Sequence, residues 1–242
     1  AQREAEDSAL IGTHGPAHAA VAHGHALLGH REEAAEALAE MERAPQQDLV
    51  FPMLPVLAAA WVAVLQGRQR SAVATLRAGI DEGVGGVPGR SIFLHDLVRL
   101  GERGCGADLR SIVDAGADGD LWEAFAAHGE AFDADDGAGL DAVSVELERV
   151  GHVLAAAEAS AQAATCHGTA GDRAAAVASR ERSRALAERV VDELNLDRSR
   201  GQAPAPGVLG GASSPASDTG GLVAGPRPAA SGAEGEGPWW AF

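Results

Sequence analysis

The chain has 242 residues, of which 46% are apolar and 4% aromatic, and its formal net charge is −16. The 19 lysine and arginine residues are all arginine, and tyrosine is absent, which excludes chemistry that needs a lysine or a tyrosine, including the P-loop lysine of nucleotide-binding proteins. The acidic charge opposes binding to nucleic-acid phosphates, which requires clustered cations.

Apolar and small residues recur at helical spacing along most of the chain, between breaks that contain glycine. Alanine supplies much of the apolar fraction, and its small side chain lets helices pack closely. The pattern predicts an all-α fold with helices at 17–28, 31–43, 53–66, 69–82, 90–101, 107–115, 119–133, 138–150, 152–167 and 172–194.

Five histidines lie in or beside the first predicted helix: His14, His18, His23, His25 and His30. Two histidines four residues apart on a helix can bind a metal. Pro16 interrupts the first such pair, and no carboxylate or cysteine completes a ligand set at helical spacing. We therefore predict no metal site and no cofactor here.

A repeat becomes visible when the predicted turns are aligned. Gly29, Gly67 and Gly171 are each followed five residues later by an alanine, at Ala34, Ala72 and Ala176, and the first two by a leucine nine residues later. Glycine ends a helix in the left-handed conformation, and a small residue early in the next helix lets the two close into an antiparallel hairpin. Stacked hairpins predict an α-solenoid, with a spacing from Gly29 to Gly67 near that of tetratricopeptide-like units.

Two segments resemble ligand-binding loops without matching them. "GVGGVPG" at 83–89 lacks the GxGxxG spacing and follows a helix, so we predict a flexible loop. "DADDGAG" at 133–139 would place Phe132 and Val143 at the first and last positions of a calcium loop, and neither can bind calcium. We interpret this segment as an acidic turn between helices.

Cys166 and His167 are the one adjacent pair that suggests a catalytic thiol and its base. They fall in the last turn of a predicted helix, Gly171 follows in the turn, and Asp172 caps the next helix. Adjacent side chains on a helix point about 100° apart and cannot form a nucleophile–base pair. We favour a structural role for both, and we interpret five glutamates as parts of solvated helix faces: Glu123, Glu130, Glu146, Glu148 and Glu158.

From Gly201 the sequence has no apolar period and is rich in Gly, Pro, Ser and Ala. We predict a helical-repeat domain at 1–198 and a disordered tail at 199–242, in which Trp239 and Trp240 are either an interaction motif or, as we favour, an incidental apolar end. Two cysteines, no signal peptide and no long apolar run favour a cytoplasmic protein. The chain begins like a piece of a longer protein.

Two stretches carry a family resemblance: "SIFLHDLVRLG" at 91–101, and 122–190, which begins "WEAFAAHGEAFD" and ends in an Ala-rich hairpin closed by "AGDR". They resemble the C-terminal helical-repeat region of large ATP-dependent LuxR-type transcription regulators, over about residues 20 to 195. The most recognisable elements are Leu94-His95-Asp96 and Arg99-Leu100-Gly101. In that family an ATPase module precedes the repeats and a helix-turn-helix follows them. The chain contains neither motif, and we interpret its tail as an out-of-frame or diverged remnant of the DNA-binding region.

The resemblance implies a regulatory, signal-sensing segment without catalytic residues. A small-molecule effector or a protein partner would bind in the solenoid groove, and DNA binding would belong to another module of the parent regulator. The residues leave a second function open, a free-standing tetratricopeptide-like scaffold for protein interactions. An enzyme that uses Cys166 and His167 is the least favoured alternative. We expect no direct nucleic-acid binding by this segment and no membrane association.

Overall fold

The structure is a computed structural model that describes residues 2–44 and 51–201, with side chains described at 15–44 and 51–192. These ranges contain ten helices and no strand, which confirms the predicted all-α fold. The helices are α1 (Gln2–Leu27), α2 (Arg31–Arg43), α3 (Met53–Leu65), α4 (Gln69–Asp81), α5 (Gly86–Arg99), α6 (Gly106–Asp114), α7 (Asp120–Asp133), α8 (Gly137–Arg149), α9 (Val153–Ala170) and α10 (Arg173–Gly201).

Each helix packs against the next helix in the chain, as in a solenoid of antiparallel hairpins. Further contacts join odd-numbered helices: α1 packs on α3, and α5 packs on both α7 and α9. The contact between α5 and α9 skips a whole hairpin. The solenoid therefore curls tightly enough for its inner helices to share one interior.

The three aligned turns have a common geometry. Gly29, Gly67 and Gly171 have φ angles of 77°, 77° and 84°, in the left-handed region. The residue after each glycine donates its backbone N–H to the carbonyl oxygen five residues earlier, at 2.9, 2.8 and 2.9 Å. This is the Schellman arrangement that ends a helix at a glycine. The alanines that follow, Ala34, Ala72 and Ala176, are all buried, as the repeat predicts.

Helices α6 and α7 approach at backbone distance. A Cβ atom on Gly106 would lie 2.7 Å from the backbone of Gly129, and one on Gly129 would lie 2.7 Å from the Cα of Gly106. The Asp133 carboxylate, at the end of α7, accepts the backbone N–H groups of Gly104 at 2.7 Å and Gly106 at 2.9 Å. Both glycines are therefore required by the crossing of the two helices.

The centre of the core is formed by α3 and α5. Within α3, the residues from Leu57 to Leu65 are buried on every side except at Ala59, because α1, α2 and α4 all pack against this helix. Within α5, all residues from Phe93 to Arg99 are buried, including three that carry charged or ionisable side chains. Helix α5 is therefore the one whose polar side chains need partners inside the protein.

The predicted loop at 83–89 is wrong in its second half. The chain turns as far as Gly85, which has a φ of 72°, and α5 then begins at Gly86. A Cβ atom on Gly89 would lie 2.1 Å from the carbonyl oxygen of Val84. The glycines in this segment allow the turn and the helix to approach closely. The high glycine content alone had predicted a flexible loop.

Two further helix ends differ from the prediction. Helix α1 begins at Gln2 and continues through Pro16, where the sequence suggested a break, and α10 runs to Gly201 instead of ending near 194. The acidic turn between α7 and α8 is confirmed, with Asp136 accepting the N–H of Gly139 at 2.9 Å. The predicted tail lies outside the described residues from 202 onward, as do Trp239 and Trp240.

None of the described helices combines the length and the apolar character needed to cross a membrane.

Candidate functional site

Four buried residues on three helices form an ion-pair network. Arg99 of α5 donates through Nε and Nη2 to both carboxylate oxygens of Glu158 on α9, with 2.9 Å between Nη2 and Oε1. Its Nη1 donates to Asp96 at 2.7 Å. Trp61 of α3 donates its indole N–H to the other oxygen of Asp96 at 2.8 Å, and its ring centroid lies 4.3 Å from the guanidinium carbon. Hydrogen bonds, charge and stacking thus join α3, α5 and α9.

The prediction that Glu158 lies on a solvated helix face is therefore wrong. This side chain is 1% exposed, because α9 is buried from Ala155 to Ala164 except at Ala161. A carboxylate in such a position needs a cation, and Arg99, 59 residues earlier, provides it. The prediction is confirmed for Glu123, Glu130 and Glu146, which are exposed, whereas Glu148 is half-buried between Arg182 and Arg189 of α10.

A second buried chain of hydrogen bonds links α5, α7 and α9. His95 Nε2 lies 3.0 Å from Nδ1 of His128, and His128 Nε2 lies 2.8 Å from the amide oxygen of Gln162. The amide nitrogen of Gln162 donates to the carbonyl oxygen of Val98 at 3.0 Å, which fixes the orientation of the amide. His128 Nε2 must then carry the proton and His95 must donate to His128 Nδ1.

Both histidines are neutral in this arrangement. Burial lowers the pKa of His128 to about 4, and burial, followed by repulsion from His128 and Arg99, lowers the pKa of His95 well below its ordinary value. The ring of His95 also stacks on Phe125 with 3.7 Å between centroids and 8° between planes. An uncharged imidazole ring suits the apolar stacking. It also carries one proton, which is the number that each histidine needs to donate one hydrogen bond in this chain.

The ion-pair network has one more carboxylate than it has guanidinium groups. Burial raises the pKa of Glu158, against the opposing effect of Arg99, so that the ionised form is held at a cost. On α1, burial lowers the pKa of His23, and its Nε2 is buried without a hydrogen-bond partner among the described residues. Burial thus favours the neutral form of His23.

A cavity of about 190 Å³ lies beside this network. Its described lining contains Trp61, Glu158 and six aliphatic residues: Leu27, Leu28, Leu154, Ala187, Val190 and Val191. These residues come from α1 and the turn after it, α3, α9 and α10. The cavity therefore lies where helices from the beginning and the end of the described solenoid meet, and Glu158 is the one ionisable residue in that lining.

His167 binds a carboxylate on a neighbouring helix. His167 lies 2.9 Å from the Asp141 carboxylate of α8, which also accepts the hydroxyl of Ser179 on α10 at 2.8 Å. Burial raises the pKa of the half-buried Cys166 thiol, which opposes thiolate formation. The geometry thus makes His167 a link between helices, and Asp172 caps α10 as predicted, accepting the N–H of Ala175 at 3.0 Å.

The histidines of α1 are dispersed. His25 and His30 are in contact, with 3.2 Å between their Nδ1 atoms, whereas His23 is turned towards Trp61, with 6.4 Å between ring centroids. The side chain of His14 lies outside the described residues. Within the described part of the chain, no three His, Cys, Asp or Glu side chains are placed to hold a metal ion.

The fold and these contacts define a solenoid of helix hairpins whose inner helices share a buried polar network beside a cavity. No protein-family model, no curated protein and no solved structure matches the chain.

Sequence analysis missed the network because its members are far apart in the chain. Asp96 and Arg99 are notable in the sequence only through the family resemblance, and nothing near Gln162 distinguishes it from an exposed polar residue. One usable signal is present. Glu158 is the single charged residue in the run "AAAEASA", and a helix that is apolar on all sides is expected to be buried.

Proposed function

We propose that the chain is a non-catalytic, ligand-responsive helical-repeat segment of a regulatory protein, and that its effector binds in the cavity between α1, α3, α9 and α10. The observation that supports this most is the position of the cavity. It is bounded by helices from both ends of the described solenoid, and its floor belongs to the network that joins α3, α5 and α9.

A ligand in this position affects the curvature of the whole solenoid. Hairpins in a solenoid contact mainly their neighbours, so small rotations at many interfaces add up along the chain. A molecule that touches Leu27, Leu154 and Val191 together prefers one distance between the first and last hairpins. Its differential affinity for two curvatures supplies the coupling to a distant module.

We further propose that the parent protein is a LuxR-type transcription regulator, cytoplasmic, with DNA binding in another module. The resemblance rests on elements that include His95, Asp96 and Arg99, and these residues form the buried networks. The net charge of −16 and the absence of lysine favour a segment that leaves DNA contacts to another module. The coding DNA tests this: an in-frame Walker motif upstream supports it, and a complete gene without one contradicts it.

The effector function is tested by a thermal-shift screen of a small-molecule library. We expect compounds that raise the melting temperature of the wild type and have no effect on Ala187→Phe, which fills the cavity. Val145→Phe, at an exposed valine on α8, is the matched control and retains the response. If every stabilising compound acts equally on all three proteins, the cavity is not the effector site.

A free-standing tetratricopeptide-like interaction scaffold is the second candidate function. It is favoured by an open groove between α7 and α8, with an apolar floor that includes Val143 and Val145. In its rim three carboxylates, Asp120, Glu123 and Glu146, outnumber one cation, Arg149, which pairs with Asp120 and Glu146. This chemistry suits a basic amphipathic helix of a partner protein. Val145→Asp should abolish binding of such a peptide, and Val177→Asp, at an exposed valine on α10, should not. Equal binding by both variants excludes the groove.

A further inference from the structure

We infer that the cavity takes an uncharged, hydrocarbon-like molecule, such as a single ring that carries a short alkyl chain. This inference rests on the proposed effector function and gives the chemical class of the effector. It stands on the volume of the cavity, on the apolar character of its described walls, and on the hydrogen bonds that already occupy the two polar side chains in those walls.

The volume sets the size of the ligand. An engineered apolar cavity of about 150 Å³ binds benzene, so a cavity of about 190 Å³ has room for one ring and a chain of a few carbons. Six of the eight described lining residues are aliphatic, and they come from α1 and the turn after it, α9 and α10. A ligand of this size therefore meets hydrocarbon from three helices, and burial of its apolar surface favours binding.

The two remaining lining residues, Trp61 and Glu158, have their polar atoms engaged inside the protein. The indole N–H of Trp61 donates to Asp96 at 2.8 Å, and an indole has no second polar group. Both carboxylate oxygens of Glu158 accept from Arg99, and the side chain is 1% exposed. The carboxylate is thus directed at Arg99 of α5 and is not available to a ligand.

Polar substituents on a ligand would lose their water without gaining a partner from these walls. Most ligand sites combine apolar walls with a few polar groups that orient the ligand, and the described lining offers no such group. Burial of an unpaired hydroxyl group is unfavourable, and burial of an unpaired charge is more so. Among ligands of one shape, the cavity therefore favours the one with the fewest polar atoms.

Three probes of nearly equal shape test the inference: propylbenzene, 2-phenylethanol and 2-phenylethylammonium. They share a phenyl ring and a two-carbon chain, and they differ only in a terminal methyl, hydroxyl or ammonium group. Binding is measured at neutral pH by isothermal titration calorimetry. It is also followed by the fluorescence of a variant in which Trp122, Trp239 and Trp240 are phenylalanine, so that Trp61 is the one tryptophan left of four. We expect propylbenzene to bind about ten- to a hundredfold more tightly than the alcohol, and the ammonium to bind more weakly than either.

Two variants connect this preference to the walls of the cavity. Ala187→Phe fills the cavity and should abolish the binding of propylbenzene, whereas Val145→Phe, at an exposed valine on α8, should retain it. Leu154→Asn puts an amide into the wall and should bring propylbenzene and the alcohol within about threefold of each other. If Leu154→Asn does not fold, the order of the three probes on the wild type still decides the inference.

Equal affinity for the three probes, or tighter binding of the alcohol or the ammonium, overturns the inference while leaving a ligand cavity, and hence the proposed function, intact. Propylbenzene binding that survives in Ala187→Phe, or a full preference in folded Leu154→Asn, also overturns it, as does failure of all three probes to bind. The proposed function then depends on the library screen, which includes charged and polar compounds and fails only if Ala187→Phe and the wild type respond alike.

Discussion

Acid should destabilise this protein through His128, and the effect can be separated from all other titrations by one substitution. His128 is fully buried and its pKa is lowered by burial to about 4, whereas an unfolded histidine titrates near 6.5. Between these two pH values the unfolded chain binds a proton that the folded chain excludes. Stability therefore falls as pH decreases through this window.

The magnitude follows from the two pKa values. A difference of about 2.5 pH units corresponds to about 3 kcal/mol over the full window, and about 2 kcal/mol of this is lost between pH 7 and pH 5. His95 acts in the same direction because its pKa is also lowered. Glu158 acts in the opposite direction, since its raised pKa makes the folded state less stable as the carboxyl group ionises with rising pH.

His128→Gln isolates the contribution of this residue. Glutamine can donate to Gln162 and accept from His95, as the neutral imidazole does, but it does not titrate. We expect urea unfolding to show a loss between pH 7 and pH 5 that is about 2 kcal/mol smaller in the variant than in the wild type. His18→Gln, on α1 and outside this hydrogen-bonded chain, controls for the loss of a histidine. An identical pH dependence in His128→Gln and the wild type would refute the neutral buried chain.

Three other substitutions test the packing and the charge balance. Arg99→Met leaves two buried carboxylates without their guanidinium and should cost about 3–5 kcal/mol, more than Glu158→Gln, which leaves a balanced pair; the reverse order in urea unfolding contradicts an excess negative charge. Gly129→Ala should lower the melting temperature sharply because its Cβ would overlap the backbone of Gly106, whereas Gly168→Ala, with open space around it, should not. Ala176→Leu should destabilise the protein by about 1–3 kcal/mol, since this alanine is buried at the start of α10, and an unchanged midpoint shows that the α9–α10 contact is loose.

The existence and order of the helices could be predicted because the signals are local. Glycine at a hairpin turn, alanine five residues later and apolar residues at helical spacing are all legible within one hairpin, and the structure places Gly29, Gly67 and Gly171 in the same Schellman geometry. The errors at 83–89 and at Pro16 have a common origin. Glycine and proline were interpreted by their usual effect on a free chain, whereas Gly85 and Gly89 lie at a close approach of turn and helix, and α1 continues through Pro16.

The candidate site could not be predicted in the same way. Burial of Glu158 depends on the packing of α5, α8 and α10 against α9, and its partner is supplied by a helix two hairpins earlier. No rule of spacing connects Trp61 with Asp96 or His128 with Gln162, because these contacts arise from the curl of the solenoid. A residue pattern predicts which face of a helix is buried, but it does not predict which distant face meets it.

The division between alanine contacts and the polar network indicates which part of the solenoid can move. Alanine interfaces, such as those between α9 and α10, contain few side-chain features that fix one orientation, so small rotations there change little buried area. The bidentate contact between Arg99 and Glu158 is different, since a rotation of α9 relative to α5 would break charge-assisted hydrogen bonds in a buried setting. We infer that α3, α5 and α9 act as one rigid unit. A ligand that contacts Val191 in the cavity then acts on α10 together with α8, because Arg182 and Arg189 of α10 both bind Glu148 of α8.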